Sequence, residues 1–417
     1  MRLRRYRLSD AQLLAQVSAP LRRDFIRFLL RRQPVRRTII DDVKVPNFGG
    51  SERVFGMAPG TVTEVGPLRF LGAREQAQRF EYVTTDSHGR QLTATGGLIR
   101  SATPWPHGER PVIGFAPSTQ GVAQHCDPSH SCAIGLKVFL DKPRDAIMAY
   151  ELPVMLAFLR QGCDVVFIDY PRDPDAGIQY YVDHIAAGQS LYDALRASRT
   201  LGISDTQPIG LWGFSQGAGA VGWCVENPQL PARAAVVGAP PSTLLDVMSH
   251  VDGSLVVGTL AYSFMGLMAE TPELWEILWP LLNEHGRRQV LANIGTCAGG
   301  TVLASGWERT RKWTVDGRSF SEVVSEIPLV RAALERQELG HCPPAMPVRL
   351  WGSRNDDVIP VEQVQRLRER WSALGGAVSY TESRLVRLPG RTSLNHFLPY
   401  YLSVPQQMEW LLERLHS

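Results

Sequence analysis

A chain of 417 residues with 44% hydrophobic and 20% charged residues has the make-up of a globular protein with room for a large core. That balance excludes a disordered or collagen-like polymer, and no apolar run approaches the length of a membrane span. The formal net charge of +3 is uneven: residues 1–40 hold eleven Arg against Asp10 and Asp24, which leaves a mildly acidic body that does not suit a nucleic-acid binder.

The basic start is not followed by the clean apolar stretch that a secretion signal needs. Instead Leu21, Phe25, Phe28 and Leu29 fall at helical spacing, with Arg22, Arg23, Arg27, Arg31 and Arg32 between them, and the pattern ends before Pro34. This amphipathic helix, in an arm spanning 1–45, reads as a surface helix with an arginine-rich outer face or as one that lies on an anionic membrane. From about residue 46 the chain turns globular. Residues 76–86 and 90–100 alternate as strands around the turn Ser87-His88-Gly89, and 111–117 form a third strand. Helical spacing covers 145–161 with Gly162 as its stop, 163–170 is a continuous apolar strand, and 185–201 is the next helix.

The stretch 208–212 is a short buried strand that runs without a spacer into Gly213-Phe214-Ser215-Gln216-Gly217. This is the pattern G-x-S-x-G, and Ala218, Gly219 and Ala220 then open a helix able to pack close to a sheet. A serine on so sharp a strand-to-helix turn takes strained backbone angles, and side chains at the flanking glycines would clash. The turn lifts the Ser215 hydroxyl above the sheet edge. It also offers the backbone N–H of Gln216, at the helix N-terminus, to a developing oxyanion. Glycine-rich chains carry this pattern by chance as well; the strand before it and the small-residue helix after it argue for a nucleophile.

Residues 233–238 form another parallel-type strand. Alternating strands and helices with continuous apolar runs predict an α/β fold whose mostly parallel sheet is covered on both faces. Between 241 and 339 that rhythm stops. The stretch 254–270 carries no charge until its last residue, and 273–283 crowds Leu274, Trp275, Ile277, Leu278 and Trp279 together, so both read as helices apolar on more than one face. An inserted helical cap over the carboxyl ends of the strands accounts for them; a second core subdomain with no such role is the plainer alternative. Strands resume at 347–352 and 377–388, and 407–416 is a helix, so the core comprises 46–240 and 340–417.

A serine nucleophile needs a general base and a group to orient it, which follow a nucleophile elbow in the order acid, then His. After the strand at 347–352 comes a loop with Asp356 and Asp357, and the pattern D-x-x-V-P fits Asp356 to Pro360 with Ile359 in the Val place. Two adjacent Asp at a loop tip are often only solvated, so position in the chain carries the assignment to Asp356. His396 lies beyond the last expected strand, at the mouth of the final helix, whereas His341 precedes a strand and falls at the wrong sheet edge.

From about Pro46 onward the chain resembles the secretory lipases of the lipase A type, found in yeasts and actinobacteria. The matching landmarks are Cys126-Asp127-Pro128-Ser129, Gly213 to Gly217, Asp356 to Pro360, the late His396, and Gly295-Thr296-Cys297. The resemblance implies an α/β-hydrolase fold with a helical cap, carboxylester hydrolysis, a Cys126–Cys297 disulfide, and a second oxyanion donor just ahead of Cys126, carried here to Gln120. It also implies export, although no signal peptide is recognisable and a cytoplasmic location stays open. Asp127 departs from the family, which has Ala there.

On this reading Ser215, Asp356 and His396 act on a triacylglycerol or another ester. Phe264, Met265 and Met268 in the cap would receive the acyl chain, or else only pack the cap. A short-chain esterase, an acyltransferase and a non-catalytic lipid-binding protein are the competing readings. No cofactor is expected, and no metal: there is no H-E-x-x-H, and the cysteine spacing does not suit zinc. Cys132, Cys163, Cys224 and Cys342 read as buried thiols or one further bridge. The expected partners are a lipid or ester substrate and a lipid surface, with no obligate protein partner and no nucleic acid.

Overall fold

A computed structural model describes residues 54–71, 76–140, 144–174 and 177–416. The basic arm expected at 1–45 lies outside the described residues. The large sheet has nine strands: β1 (Val62–Pro67), β2 (Gln76–Thr85), β3 (Gln91–Arg100), β4 (Val112–Ala116), β7 (Asp164–Ile168), β8 (Ile209–Phe214), β9 (Ala232–Gly238), β10 (Val348–Ser353) and β11 (Val378–Ser383). Their order is β1-β2-β3-β7-β4-β8-β9-β10-β11. The first three pair antiparallel, and β7 to β11 run parallel to one another. This is the α/β-hydrolase arrangement.

The continuous apolar runs of β4, β7 and β8 are fully buried, as strands with helices on both faces must be. Gly114 and Leu211 are paired in register and face Leu195 on one side. Gly210, one residue earlier, opens on the other side toward Leu411 and Leu415. The two covering helices are His184–Thr200 and Leu394–Glu413. The second is far longer than the expected 407–416 and contains Pro399 and Pro405. The strand expected at 377–388 ends at Ser383, and β1 was not anticipated.

The helix expected over 145–161 is corrected. Its first part is a strand, β6 (Asp145–Met148), hairpinned against β5 (Leu136–Phe139), and the helix proper is Leu152–Arg160 with Pro153 in its first turn. Asp145 has a reason to leave the helix. Its buried carboxylate accepts the N–H of Cys297 at 2.9 Å, while Ile147 packs on the Cys126–Cys297 bridge.

Seven α-helices lie between β9 and β10, from Leu244–Val251 to Pro328–Arg336. The expected helix at 273–283 breaks into Leu274–Leu278 and a 3-10 turn at Trp279–Leu281, because Pro280 offers no backbone donor. These helices share a second apolar cluster that reaches Leu92 and Tyr181 on the core side.

Candidate active site

Strand β8 ends at Phe214, and the helix Gln216–Glu226 starts two residues later. Ser215 between them sits at φ 55°, ψ −119°, a conformation that costs an L-residue about 1–3 kcal/mol and persists only where the surroundings enforce it. Enforcement comes from close backbone approach. A Cβ on Gly217 would lie 1.9 Å from the Ala116 carbonyl oxygen, and one on Gly213 2.2 Å from that of Gly217. The Ser215 N–H donates to Gly238 across the sheet at 2.9 Å.

In the loop after β10 the two aspartates have different partners. Asp356 Oδ1 accepts the N–H groups of Val358 and Ile359 at 2.9 and 2.8 Å, and Oδ2 lies 2.7 Å from His396 Nδ1. Asp357 does other work: its Oδ2 accepts from Ser393 N–H at 3.0 Å and Asn395 Nδ2 at 3.2 Å, which fixes the start of the helix that bears His396. His396 is buried and stacked on Phe214 at 4.5 Å, and its Nε2 has no hydrogen-bond partner among the described residues. With Nδ1 held by a carboxylate, Nε2 is the nitrogen free to exchange a proton.

Ser215, Gln216, Gln120 and His396 all line one cavity of about 370 Å³. Gln120 belongs to the loop after β4. Its carbonyl accepts Ala298 N–H at 2.9 Å, its neighbour Gly121 pairs with Cys297, and Cys297 is bonded to Cys126 with Cα atoms 5.3 Å apart. Asp127, the departure from the family pattern, is ion-paired with Arg172, whose guanidinium also donates to Val122 O at 3.1 Å. Burial pushes the Asp127 carboxyl up, and Arg172 opposes that.

Phe264, Met265 and Met268 are the residues expected to receive an acyl chain. All three are buried inside the helical insertion, with Phe264 stacked on Phe320 at 5.1 Å, and none lines the cavity. The same helix, Thr259–Glu270, turns Leu260 and Ser263 to the cavity instead. Further apolar lining comes from Leu244, Met248 and Val302 of the insertion and from Met148 of the unanticipated hairpin. The thiol expectation holds for Cys132, Cys163 and Cys224, which are buried and free, but Cys342 is exposed.

Sequence reasoning also missed His184, Tyr181 and Glu151. His184 and Tyr181 line the cavity; burial holds the His184 imidazole down at about 4 and pushes the Tyr181 phenol up to about 12. Tyr181 shares a hydrogen bond of 2.9 Å with Thr119 of the loop after β4. No local motif marks any of these residues.

Residues 144–417 match the secretory lipase family. The chain is 25% identical over 382 residues to a probable inactive lipase of Mycobacterium tuberculosis, which covers 85% of this chain and 78% of that one. It is 25% identical over 352 residues to a secreted triacylglycerol lipase of Malassezia globosa, covering 80% and 73% respectively. Among solved structures, lipase A of Candida antarctica superposes with a TM-score of 0.74 at 18% identity, over 89% of this chain and 86% of its own, a likeness of fold.

Proposed function

The chain belongs to the secretory lipase family, and we propose that it hydrolyses carboxylic esters with apolar acyl groups through Ser215, His396 and Asp356. His396 Nε2 takes the Ser215 proton as Oγ attacks the ester carbonyl carbon, and Asp356 steadies the resulting imidazolium through Nδ1. The N–H groups of Gln216 and Gln120 hold the negative oxygen of the tetrahedral intermediate. Collapse of that intermediate expels the alcohol, which takes the proton back from His396. A water molecule then repeats the sequence on the acyl-enzyme and releases the acid.

The observation that carries the reading is the pairing of His396 Nδ1 with Asp356 at 2.7 Å, with His396 and the strained Ser215 facing one cavity. The apolar lining of Leu244, Met248, Leu260 and Val302 favours an acyl chain over a polar substrate, at about 0.8 kcal/mol per methylene buried. The Malassezia relative is a triacylglycerol lipase by name, which supports the same substrate class. The Mycobacterium relative is named as probably inactive, so activity has to be measured. A disulfide between core and insertion fits an oxidising compartment and supports export.

The test is a series of p-nitrophenyl esters from acetate to palmitate, with Ser215→Ala as the blank. Turnover that rises with chain length and vanishes in the blank supports the reading. Turnover retained by Ser215→Ala overturns the assignment of the nucleophile.

A further inference from the structure

We propose that Glu151 is a positioning residue of this site: its carboxylate ties the oxyanion loop at Ser118 to the helix bearing His396, and places a second negative charge beside the catalytic group. The inference rests on the ester-hydrolase reading above.

Glu151 stands at the N-cap of the helix Leu152–Arg160 and makes no side-chain bond to that helix. It is 2% exposed and turned instead toward the site. Its Oε1 accepts the Ser118 N–H at 3.0 Å and also the Ser118 hydroxyl, two residues before Gln120. Its Oε2 accepts the Tyr400 hydroxyl at 3.0 Å, one helical turn beyond His396. The Tyr400 oxygen is itself the acceptor for Trp212 Nε1–H at 3.2 Å, so its proton is committed to Glu151.

Three donors therefore converge on one buried carboxyl, an arrangement that suits the ionised form. The chain of contact continues through rings. Tyr400 lies flat on Phe214 at 3.7 Å, Phe214 stacks on His396 at 4.5 Å, and Phe214 directly precedes Ser215. One side chain thus touches the oxyanion loop and the base-bearing helix, and through two rings it reaches the nucleophile strand.

Burial raises the Glu151 carboxyl above its ordinary range, and the Ser118 and Tyr400 bonds and the charge of His396 hold that rise back. The other titratable groups that feel Glu151 are Tyr150, Tyr170, Tyr400, Tyr401 and Cys132, all pushed upward by burial and so neutral at neutral pH. Asp356 meets His396 through its other ring nitrogen, Nδ1. Glu151 is then a second negative charge for the imidazolium that forms during the reaction.

Glu151→Gln tests this, because its amide nitrogen must face one of the donors and its charge is gone. In kinetics on p-nitrophenyl butyrate, kcat is expected to fall about 10-fold or more with KM nearly unchanged, as for loss of an interaction made in the transition state. The acid limb of the rate profile, and the NMR titration of the His396 ring, are expected to move to lower pH, because a negative charge near the imidazolium is lost. Glu151→Asp, which keeps the charge, is expected to keep the limb. A folded Glu151→Gln protein with the limb and the ring titration unmoved overturns the proposal. Should that variant not fold, Tyr400→Phe removes one bond of the tie, and an unchanged kcat there overturns it equally. The ring titration needs no turnover, so it judges Glu151 even if Ser215→Ala retains the rate and the nucleophile assignment fails.

Discussion

Asp356 and Asp357 are neighbours with different partners, and their amides should separate them. Asp356→Asn removes the acceptor that fixes the His396 tautomer, and kcat is expected to fall roughly 10³–10⁴-fold. Asp357→Asn keeps that pair and loosens the bonds to Ser393 and Asn395, at about 1–2 kcal/mol of stability and with most of the activity kept. Kinetics with urea unfolding on both variants decides; the reverse pattern shifts the acid by one residue. His184 yields a prediction about pH. Its imidazole is held at about 4 against an ordinary 6.5, so on acidification the unfolded chain takes a proton that the folded chain refuses. Its contribution is complete above pH 6.5 and is lost as the pH falls through about 4, a change of roughly 3 kcal/mol. Asp183 beside it, pushed up to about 6, acts in the opposite sense, contributing stability at low pH that is lost as pH rises. The stability of wild type minus that of His184→Gln should therefore shrink between pH 7 and pH 4, which urea titrations at the two pH values measure. A constant difference contradicts it. Ser215 could be singled out as a candidate from a local pattern, and Asp356 and His396 from their places after the late strands, which is why the pair they form was expected. Glu151 was not, since its partners Ser118 and Tyr400 lie 33 and 249 residues away.

Among the elements, the helix Thr259–Glu270 shows what periodicity withholds. Its sequence is apolar all round, so no stripe distinguishes the face toward the cavity from the face toward the rest of the insertion. Leu260 and Ser263 take the first role, while Phe264, Met265 and Met268 take the second. Leu260→Asn is accordingly expected to lower turnover of long-chain esters several-fold more than of butyrate, by the loss of apolar wall. Phe264→Ala should cost about 3–5 kcal/mol of stability and change the chain-length profile little. Matched ester series and thermal melts on the two variants check this, and a chain-length effect at Phe264 with none at Leu260 contradicts it. The hairpin of β5 and β6 was illegible for another reason: each strand is only four residues long, too short for alternation to outweigh the helical spacing that follows.

At the scale of the whole molecule, the parallel strands and the interruption between β9 and β10 were readable from apolar runs and their absence. The sheet order and the seating of the insertion depend on contacts between distant segments. The Cys126–Cys297 bridge is one such contact, joining residues 171 apart across the core and the insertion. A closed loop of that length is expected to contribute about 3–5 kcal/mol. Melting with and without dithiothreitol, and of Cys126→Ser/Cys297→Ser, checks it; an unchanged melting temperature on full reduction contradicts it. The helix Leu394–Glu413 has a different kind of consequence. It follows every strand of the large sheet in the chain, and it alone carries His396. A ribosome working from the N-terminus therefore exposes Ser215 long before the histidine exists. Until that helix emerges the nascent polypeptide holds an unarmed serine, and the proposed chemistry begins only once the helix docks against β9 and β10.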